Sequence, residues 1–447
     1  MATLLHESPP DGSVPGALCD IDSSLGAFRG PRGIGYRAGR RNAAARNIGL
    51  VLSGQAGLSA SRFAALLLLA HAMTPVRFAE CAIYSTSSLV MSNLCELGIN
   101  ISCLKFAAGA YGEAWLRTAS RFLALRLVLT AALTIAVFLC APLGAATLLN
   151  HPEYTGALRL ACGSAAFTSV ASFVLVLLQS RLEFPRMARL SGAAAIVQIL
   201  PVACALHYRW AGVAVLFAGD VLSRVWILAR NRNLLAAVLR AVHLPGPRPG
   251  WKPIAVFAHW ITLSTLIGSL YNYIPSIALS RWASAAALGA YSLSTSLTGG
   301  IALLINTTST VLLPEAVAAT TSDRRRAYLR SYLPGAALLS GVLLAAVWLS
   351  GPVATLVFPA AMPETVRVFQ ILATAQLVLL MVNPIQFLLY GEGRPQWCTV
   401  TDGLITLLFG SMAVWMAPAH GAVGIACALL ISQTAVKAAM AALVVRR

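Results

Sequence analysis

The chain has 447 residues, of which 58% are hydrophobic and only 11% are charged, and its mean hydropathy is +0.75. A water-soluble domain of this length needs far more charge on its surface, so lipid is the expected solvent for most of the chain. The formal charge of +18 does not indicate nucleic-acid binding, because the basic residues occur in bursts between apolar runs and not in one patch with interleaved aromatics.

Residues 1–45 are predicted to form a disordered cytoplasmic arm. They are rich in Gly, Pro and Arg, and they lack an early apolar core followed by a cleavage site, so no cleaved signal peptide is expected. Arginines such as Arg29, Arg37 and Arg41 would hold the arm near anionic lipid.

Uncharged runs follow the arm, and many are about 20 residues or longer, enough to cross a hydrocarbon core of roughly 30 Å. They do not alternate apolar and polar residues as barrel strands do, so the sequence predicts an all-α polytopic membrane protein with about twelve transmembrane helices. The predicted spans are 47–71, 78–102, 121–144, 156–179, 188–208, 210–230, 254–279, 288–312, 332–357, 365–389, 399–417 and 421–443.

The spans divide into two six-helix lobes, residues 46–230 and 253–447, joined by a cytoplasmic linker at 231–252. The stretch AECAIYSTS at 79–87 resembles GAYSLSTSL at 289–297, each after an outside turn, as a duplicated six-helix unit would require. Most of the 33 Lys and Arg residues fall on the segments that are inside if both termini are cytoplasmic, which predicts that orientation and an even number of spans.

Arg62 is the leading candidate for a functional residue. It lies about ten residues, or roughly 15 Å, from the outside end of the first span, which is too deep for easy snorkelling. Gln55, Ser59 and Arg62 are spaced i, i+4, i+7 and so form one polar stripe on an otherwise apolar helix. We expect this stripe to face a central cavity, where the guanidinium suits a phosphate or a carboxylate. The alternative is an ion pair with a buried carboxylate on a neighbouring helix.

Two deep acidic residues are assigned to gating or coupling. Asp220 lies near mid-membrane in the sixth span, and Arg224 follows at i+4, so an intrahelical ion pair is the simpler interpretation. Glu96 lies near the inside end of the second span, where it can snorkel, cap a helix or bind a partner helix. The uncharged residues Asn272, Asn306 and Gln376 lie inside spans and are further candidates for substrate binding, although most such residues cement helix packing.

The sequence contains no pattern that indicates an enzyme or a cofactor. No GxSxG elbow or Walker loop occurs, the nine cysteines form no CxxC pair, and the histidines form no metal-binding cluster. We therefore expect a protein without catalytic residues, metal or cofactor.

Several short motifs resemble the polysaccharide exporters and O-antigen flippases of the multidrug/oligosaccharidyl-lipid/polysaccharide exporter superfamily. The resemblance covers residues 45 to 445, and the order of the motifs carries it. The motifs are Gly54-Gln55, PVRFA at 75–79, CELGIN at 95–100, LGAYS at 288–292, LLPE at 312–315 and LLYGEGRP at 388–395.

The resemblance implies a two-lobed bundle of twelve helices that works by alternating access in the bacterial inner membrane. It implies export of a lipid-linked oligosaccharide, with Arg62 in a cationic central cavity. The lipid bilayer and glycan-assembly membrane proteins are the expected partners. The alternatives are a multidrug antiporter of the same superfamily, a lipid II flippase, and a membrane-integral glycan-processing enzyme, which an intramembrane histidine or a large outside loop would favour.

Overall fold

A computed structural model shows that the chain folds as helices. The structure describes residues 39–107, 112–181, 183–208, 210, 212–243, 251–318, 322–352, 355, 358, 364–391 and 395–445. All regular secondary structure in these ranges is helical, which confirms the predicted all-α class. Most of the predicted arm, and the Pro245–Pro249 stretch of the predicted linker, lie outside the described residues.

In the first half of the chain, the described residues form six long α-helices and two short ones. α1 begins at Gly39, within the residues assigned to the arm, and α2 begins with proline at its first turn, where the missing N–H costs nothing. The helices are α1 Gly39–Ala72, α2 Pro75–Glu96, α3 Ile99–Ala107, α4 Gly112–Thr147, α5 Thr155–Ser180, α6 Phe184–His207, α7 Val213–Arg230 and α8 Arg232–Arg240.

In the second half, the described residues form five long helices, the last of which is bent. The helices are α9 Trp251–Trp282, α10 Ala285–Ala318, α11 Ser322–Leu349, α12 Thr365–Gly391 and α13 Pro395–Val445. The range of α13 is continuous, but Gly421 within it has a non-helical backbone conformation, with φ 53° and ψ −135°. The helix is therefore kinked at the predicted turn between the last two spans. Glycine adopts this backbone conformation without the steric cost that a Cβ would add.

Seven helical stretches are long and apolar enough to cross a membrane, judged by length and composition among the described residues. They are 112–147, 152–180, 184–207, 285–305, 323–349, 365–386 and 396–443, the last of which includes the Gly421 break. The protein is therefore a multi-pass membrane protein, and the predicted number of twelve spans stays a prediction.

Exposed tryptophans mark two levels along the helices. Trp210, Trp282 and Trp348 lie at or next to the helix ends that are predicted to face outside. Trp226 and Trp260 instead lie in the halves of α7 and α9 that are predicted to be nearer the inside. On α13, the exposed Trp397 and Trp415 are 18 residues apart, which is about 27 Å of helix and close to the thickness of a bilayer core. Tryptophan favours the membrane interface, so these levels indicate the two bilayer surfaces.

Helices of the same half contact one another most extensively, and the two halves meet where α1 and α2 pack against α9 and α10. A hydrophobic cluster closes this interface in its predicted outer part and contains residues of both halves, including Leu66, Leu69, Leu288 and Tyr291. The boundaries proposed for the lobes remain a prediction. The structure adds that the first part of the predicted linker is α8, whose buried Leu234 and Val238 pack on the first half.

Among the described residues, hydrogen bonds join the halves at three places along α9. The Thr262 hydroxyl donates to the Leu97 carbonyl at 2.9 Å, and Ser87 bonds the Tyr273 hydroxyl at 3.3 Å. At the far end, Arg281 donates to the Thr147 carbonyl at 3.0 Å. We call this line of contacts the α9 seam. Its inner end is a tight turn between α2 and α3.

The turn at the inner end of the α9 seam depends on left-handed backbone. Leu97 has φ 35° and Gly98 has φ 74°. A Cβ added to Gly98 would lie 2.9 Å from the Ile261 side chain, so glycine is required both for the conformation and for the close approach to α9.

We expect Thr262→Val to loosen the α9 seam. The valine keeps the shape of the side chain but removes the donor to Leu97, which should cost about 0.5–1.5 kcal/mol of unfolding free energy. Thr265→Val is the matched control, because the Thr265 hydroxyl bonds only the Ile261 carbonyl of its own helix. Thermal unfolding of both purified variants checks this. Equal midpoints would contradict the assigned role of Thr262.

Candidate functional site

A buried carboxylate lies at the centre of a polar network in the first half. Asp220 on α7 accepts hydrogen bonds from the Tyr84 hydroxyl at 2.8 Å and from the Gln198 amide at 2.7 Å. The Ser61 hydroxyl of α1 donates to the side-chain oxygen Oε1 of Gln198 at 3.0 Å. The network therefore joins α1, α2, α6 and α7. It depends on Gly219, because a Cβ there would lie 2.4 Å from the Gln198 backbone carbonyl oxygen.

The predicted intrahelical ion pair between Asp220 and Arg224 is not formed. No nitrogen of Arg224 lies within 4.0 Å of the Asp220 carboxylate, whose oxygens are occupied by Tyr84 and Gln198. The Arg224 Nε is buried and has no hydrogen-bond partner within the described part of the chain. Its electrostatic neighbours are Asp220, Arg62 and Tyr84, so Arg224 belongs to the same cluster.

Arg62 is half-buried on α1 and donates from Nη2 to the Ser85 backbone carbonyl of α2 at 3.1 Å. An ion pair between Arg62 and a carboxylate, the alternative considered from the sequence, is absent among the described residues. Arg62 and Asp220 are both electrostatic neighbours of Arg224, although neither arginine forms an ion pair with Asp220 among the described residues. Arginine stays protonated in proteins, so this cluster has an excess of positive charge at depth in the membrane.

A cavity of about 490 Å³ lies between α1 and α10, next to this cluster along α1. Its walls are mainly apolar. The α1 wall consists of Ser53, Ala56, Ser59, Ala60 and Phe63, and the α10 wall of Ser296, Leu297, Gly300, Leu303 and Leu304. Ser59 of the predicted stripe lines this cavity, but Gln55 is exposed and is not among the lining residues, and Arg62 turns towards α2. The stripe is thus divided between two surfaces.

The other predicted substrate-binding residues form no hydrogen bond with the cluster among the described residues. Asn272 is exposed on α9, and Gln376 is half-buried on α12. The side chain of Asn306 lies outside the described residues. No group of three or more His, Cys, Asp and Glu residues with a metal-binding arrangement occurs in the ranges that the structure describes.

Glu96 binds a partner helix through Arg126 of α4. Arg126 Nη2 lies 3.1 Å from Glu96 Oε1, and the Arg126 side chain is 0% exposed. Arg126 also donates to Asn100 Oδ1 at 2.8 Å and to Ser169 Oγ at 2.8 Å, while Nη2 reaches the Ser172 hydroxyl at 2.8 Å. Arg126 lies within the predicted span 121–144, and it is the centre of a buried network that no motif in the sequence indicates.

A second buried cation was also missed from the sequence. Lys437 lies within the predicted span 421–443 and is 3% exposed within α13. Its ammonium lies 3.6 Å from Asp402 Oδ1 and donates to Gln386 Oε1 at 2.9 Å. One signal was available in both cases, because Arg126 and Lys437 lie well inside long apolar helices and not at their ends.

The fold is that of transporters of the MOP superfamily. One similar solved structure is the inward-facing conformation of a multidrug resistance MATE family transporter, with a TM-score of 0.71, 12% identity, and coverage of 87% of this chain and 94% of that chain. Another is the lipid II flippase MurJ in an inward closed conformation, with a TM-score of 0.69, 11% identity, and coverage of 88% and 87%.

A third similar structure is a MOP superfamily transporter from Pyrococcus furiosus, with a TM-score of 0.66, 15% identity, and coverage of 90% and 94%. At these identities the likenesses establish the fold alone. A comparison with curated protein sequences finds no match.

The family model for polysaccharide biosynthesis proteins matches residues 44–319. The chain belongs to this family. The match confirms the resemblance inferred from the motifs, and the fold that accompanies it is the one seen in the MATE and MurJ structures.

Proposed function

We propose that the protein is a flippase that moves a lipid-linked oligosaccharide across the bacterial cytoplasmic membrane by alternating access, with both termini in the cytoplasm. It acts as a transporter and not as an enzyme. The observation that supports this most directly is the buried Arg224 Nε, which has no hydrogen-bond partner among the described residues and has Arg62 and Asp220 as electrostatic neighbours. A buried donor without a partner is costly, and a phosphate oxygen from a substrate would satisfy it.

The cavity between α1 and α10 supports the same substrate class. The pyrophosphate of a lipid-linked glycan is anionic and needs the guanidinium cluster, whereas its hydrocarbon chain needs an apolar surface. The two features occur on adjacent faces of α1, with Arg62 on one face and Ser59 and Phe63 on the other. One molecule with a charged head and an apolar tail would engage both faces.

We expect Arg62→Ala and Arg224→Ala each to reduce export by about tenfold to a hundredfold, because each removes a charge-assisted bond worth about 1.5–3 kcal/mol. The measurement is the amount of lipid-linked glycan trapped on the cytoplasmic face of a deletion strain that expresses each variant. Arg77→Ala is the matched control, since Arg77 is an exposed arginine at the other end of the interface. Full export by both cluster variants at normal membrane abundance would refute the assignment.

A multidrug antiporter of the same superfamily is the second candidate, and one observation favours it. Such a protein needs an acid within the membrane to couple ions, and Asp220 is not engaged in a direct ion pair with Arg224. Drug resistance of the same deletion strain separates the candidates. An antiporter would change drug tolerance and leave the trapped glycan unaltered, whereas a flippase would do the reverse.

A further inference from the structure

A second cavity, of about 600 Å³, lies at the predicted outer side of the second half. It occupies the angle between the first turn of α12 and the bend of α13, and we call it the outer pocket. The bend is sharp, because a Cβ added to Gly424 would lie only 2.5 Å from the backbone carbonyl oxygen of Met416, eight residues earlier. The outer pocket shares no lining residue with the Asp220 cluster or with the cavity between α1 and α10.

The outer pocket has a polar part and an apolar part. The polar part consists of Glu364 and Arg367 of α12 and His420 of α13, and these three side chains are exposed. The apolar part is a wall of half-buried α13 side chains, namely Met416, Val423 and Cys427. One acid, one guanidinium and one imidazole thus surround a space that is apolar on one side.

The three polar side chains are not paired with one another. Arg367 follows Glu364 at i+3, a spacing that often gives an ion pair, but no Arg367 nitrogen lies within 4.0 Å of the Glu364 carboxylate. Among the described residues, the side chains of Glu364, Arg367 and His420 form no hydrogen bond or ion pair. Their hydrogen-bonding groups are therefore available to a ligand from the side that these residues leave open.

The depth of the pocket on α12 follows from the tryptophan level. Gln370 donates to the Trp348 backbone carbonyl at 3.4 Å, so Gln370 lies at the level of the outer tryptophans. Arg367 and Glu364 precede Gln370 by three and six residues, which is about 4.5 Å and 9 Å further out along the helix. The headgroup layer of one leaflet is roughly 5–8 Å thick. Both charged side chains therefore lie at the level of lipid headgroups.

The depth on α13 agrees with this. His420 lies five residues beyond the exposed Trp415, or about 7.5 Å of helix, and the chain then bends at Gly421. After the bend the helix returns, and Cys427 is six residues, or about 9 Å, back towards the hydrocarbon core. The polar part of the pocket thus lies at headgroup depth, and the apolar wall continues towards the depth of the acyl chains.

We propose that the outer pocket binds phosphatidylethanolamine from the leaflet on the predicted outer side, an inference that does not depend on the flippase function. The Arg367 guanidinium and a ring N–H of His420 donate to the phosphate, and the Glu364 carboxylate accepts from the primary ammonium. The glycerol and the first acyl carbons lie along the apolar wall. Arg367 is nearer to the core than Glu364, which matches a headgroup whose phosphate lies below its ammonium.

The charges of the pocket distinguish this headgroup from other common ones. One carboxylate and one guanidinium suit a zwitterion. The quaternary ammonium of phosphatidylcholine has no N–H to donate to Glu364, and the uncharged glycerol of phosphatidylglycerol leaves the Glu364 carboxylate without a counter-charge. The preference for a primary ammonium is therefore assigned to Glu364, and the affinity for phosphate to Arg367.

The test compares three phospholipids with identical acyl chains. Native mass spectrometry of the purified, delipidated full-length protein in detergent measures the binding of phosphatidylethanolamine, phosphatidylcholine and phosphatidylglycerol to the native chain, to Glu364→Gln and to Arg367→Gln. Glu153→Gln and Arg159→Gln are the matched controls, because both residues are exposed at the predicted outer end of the first half and do not line the pocket.

We expect the native protein and both controls to bind phosphatidylethanolamine about threefold to tenfold more tightly than the other two lipids, as the loss of one charge-assisted hydrogen bond implies. Glu364→Gln should bind phosphatidylethanolamine and phosphatidylcholine equally, whereas Arg367→Gln should bind all three lipids more weakly. Without lipid, both pocket variants should unfold at the native temperature, because their side chains are exposed.

Equal binding of the three lipids by the native protein would overturn the proposal, and so would a preference for phosphatidylethanolamine that survives Glu364→Gln. A further arm tests whether the ligand is a lipid or its free headgroup. Water-soluble glycerophosphoethanolamine should displace the lipid only at much higher concentration, since it makes no contact with the apolar wall. Displacement at equal concentration would overturn the assignment to a lipid.

Discussion

Arg126→Met is expected to destabilise the protein by about 3–5 kcal/mol, because it removes one partner of a buried ion pair. The methionine fills much of the space but leaves the Glu96 carboxylate without a counter-charge. It also leaves the acceptors on Asn100 and Ser169 without their donor. Thermal unfolding of the purified variant, together with its abundance in the membrane, measures the effect.

The double variant Arg126→Met with Glu96→Gln separates charge from packing. It removes both charges, so it should be clearly more stable than Arg126→Met alone. Arg189→Met serves as the control on a neighbouring helix, because the Arg189 side chain is exposed and bonds only a carbonyl of its own helix. If Arg126→Met unfolds at the same temperature as this control, the buried network has no stabilising role.

Gly219→Ala is expected to have the second large effect. The added methyl would lie 2.4 Å from the Gln198 backbone carbonyl oxygen, and a backbone atom cannot rotate away as a side chain can. Overpacking of this kind costs about 1–3 kcal/mol or more, and relief requires α7 to move away from α6. That movement would also lengthen the 2.7 Å bond from Gln198 to Asp220, so export should fall along with stability.

Gly192→Ala provides the matched comparison on α6. A Cβ at Gly192 meets no atom within 4 Å, and alanine is favoured over glycine inside a helix by up to about 1 kcal/mol. We therefore expect Gly192→Ala to unfold at the same temperature as the native protein or higher. An unfolding midpoint for Gly219→Ala that equals that of Gly192→Ala would contradict the close approach of α6 and α7.

The fold class was predictable because lipid imposes a simple rule on sequence. Long uncharged runs must become helices, and the predicted spans follow the observed helices closely in cases such as 156–179 within α5 and 365–389 within α12. The bend at Gly421 was also predictable from the Pro, His and Gly residues around it. Helix ends were less predictable, as the early start of α1 and the break between α2 and α3 show.

The site was less predictable, because sequence spacing reports only neighbours on one helix. The spacing of Asp220 and Arg224 suggested an ion pair, but the partners of Asp220 come from α2 and α6, distant in the chain. Arg126 and Lys437 were not recognised as members of buried networks for the same reason. Their carboxylate partners are contributed by residues that no local pattern connects to them.

The position of the α9 seam bears on how wide an opening between the two halves has to be. The halves are tied together along α9, while the opposite side, between α1 and α10, contains an apolar cavity. Under the proposed flippase function, this arrangement predicts that α1 and α10 separate while the α9 side stays closed. The hydrocarbon chain of a lipid-linked substrate would then remain among the surrounding acyl chains, and only its sugar and phosphate portion would pass between the two halves.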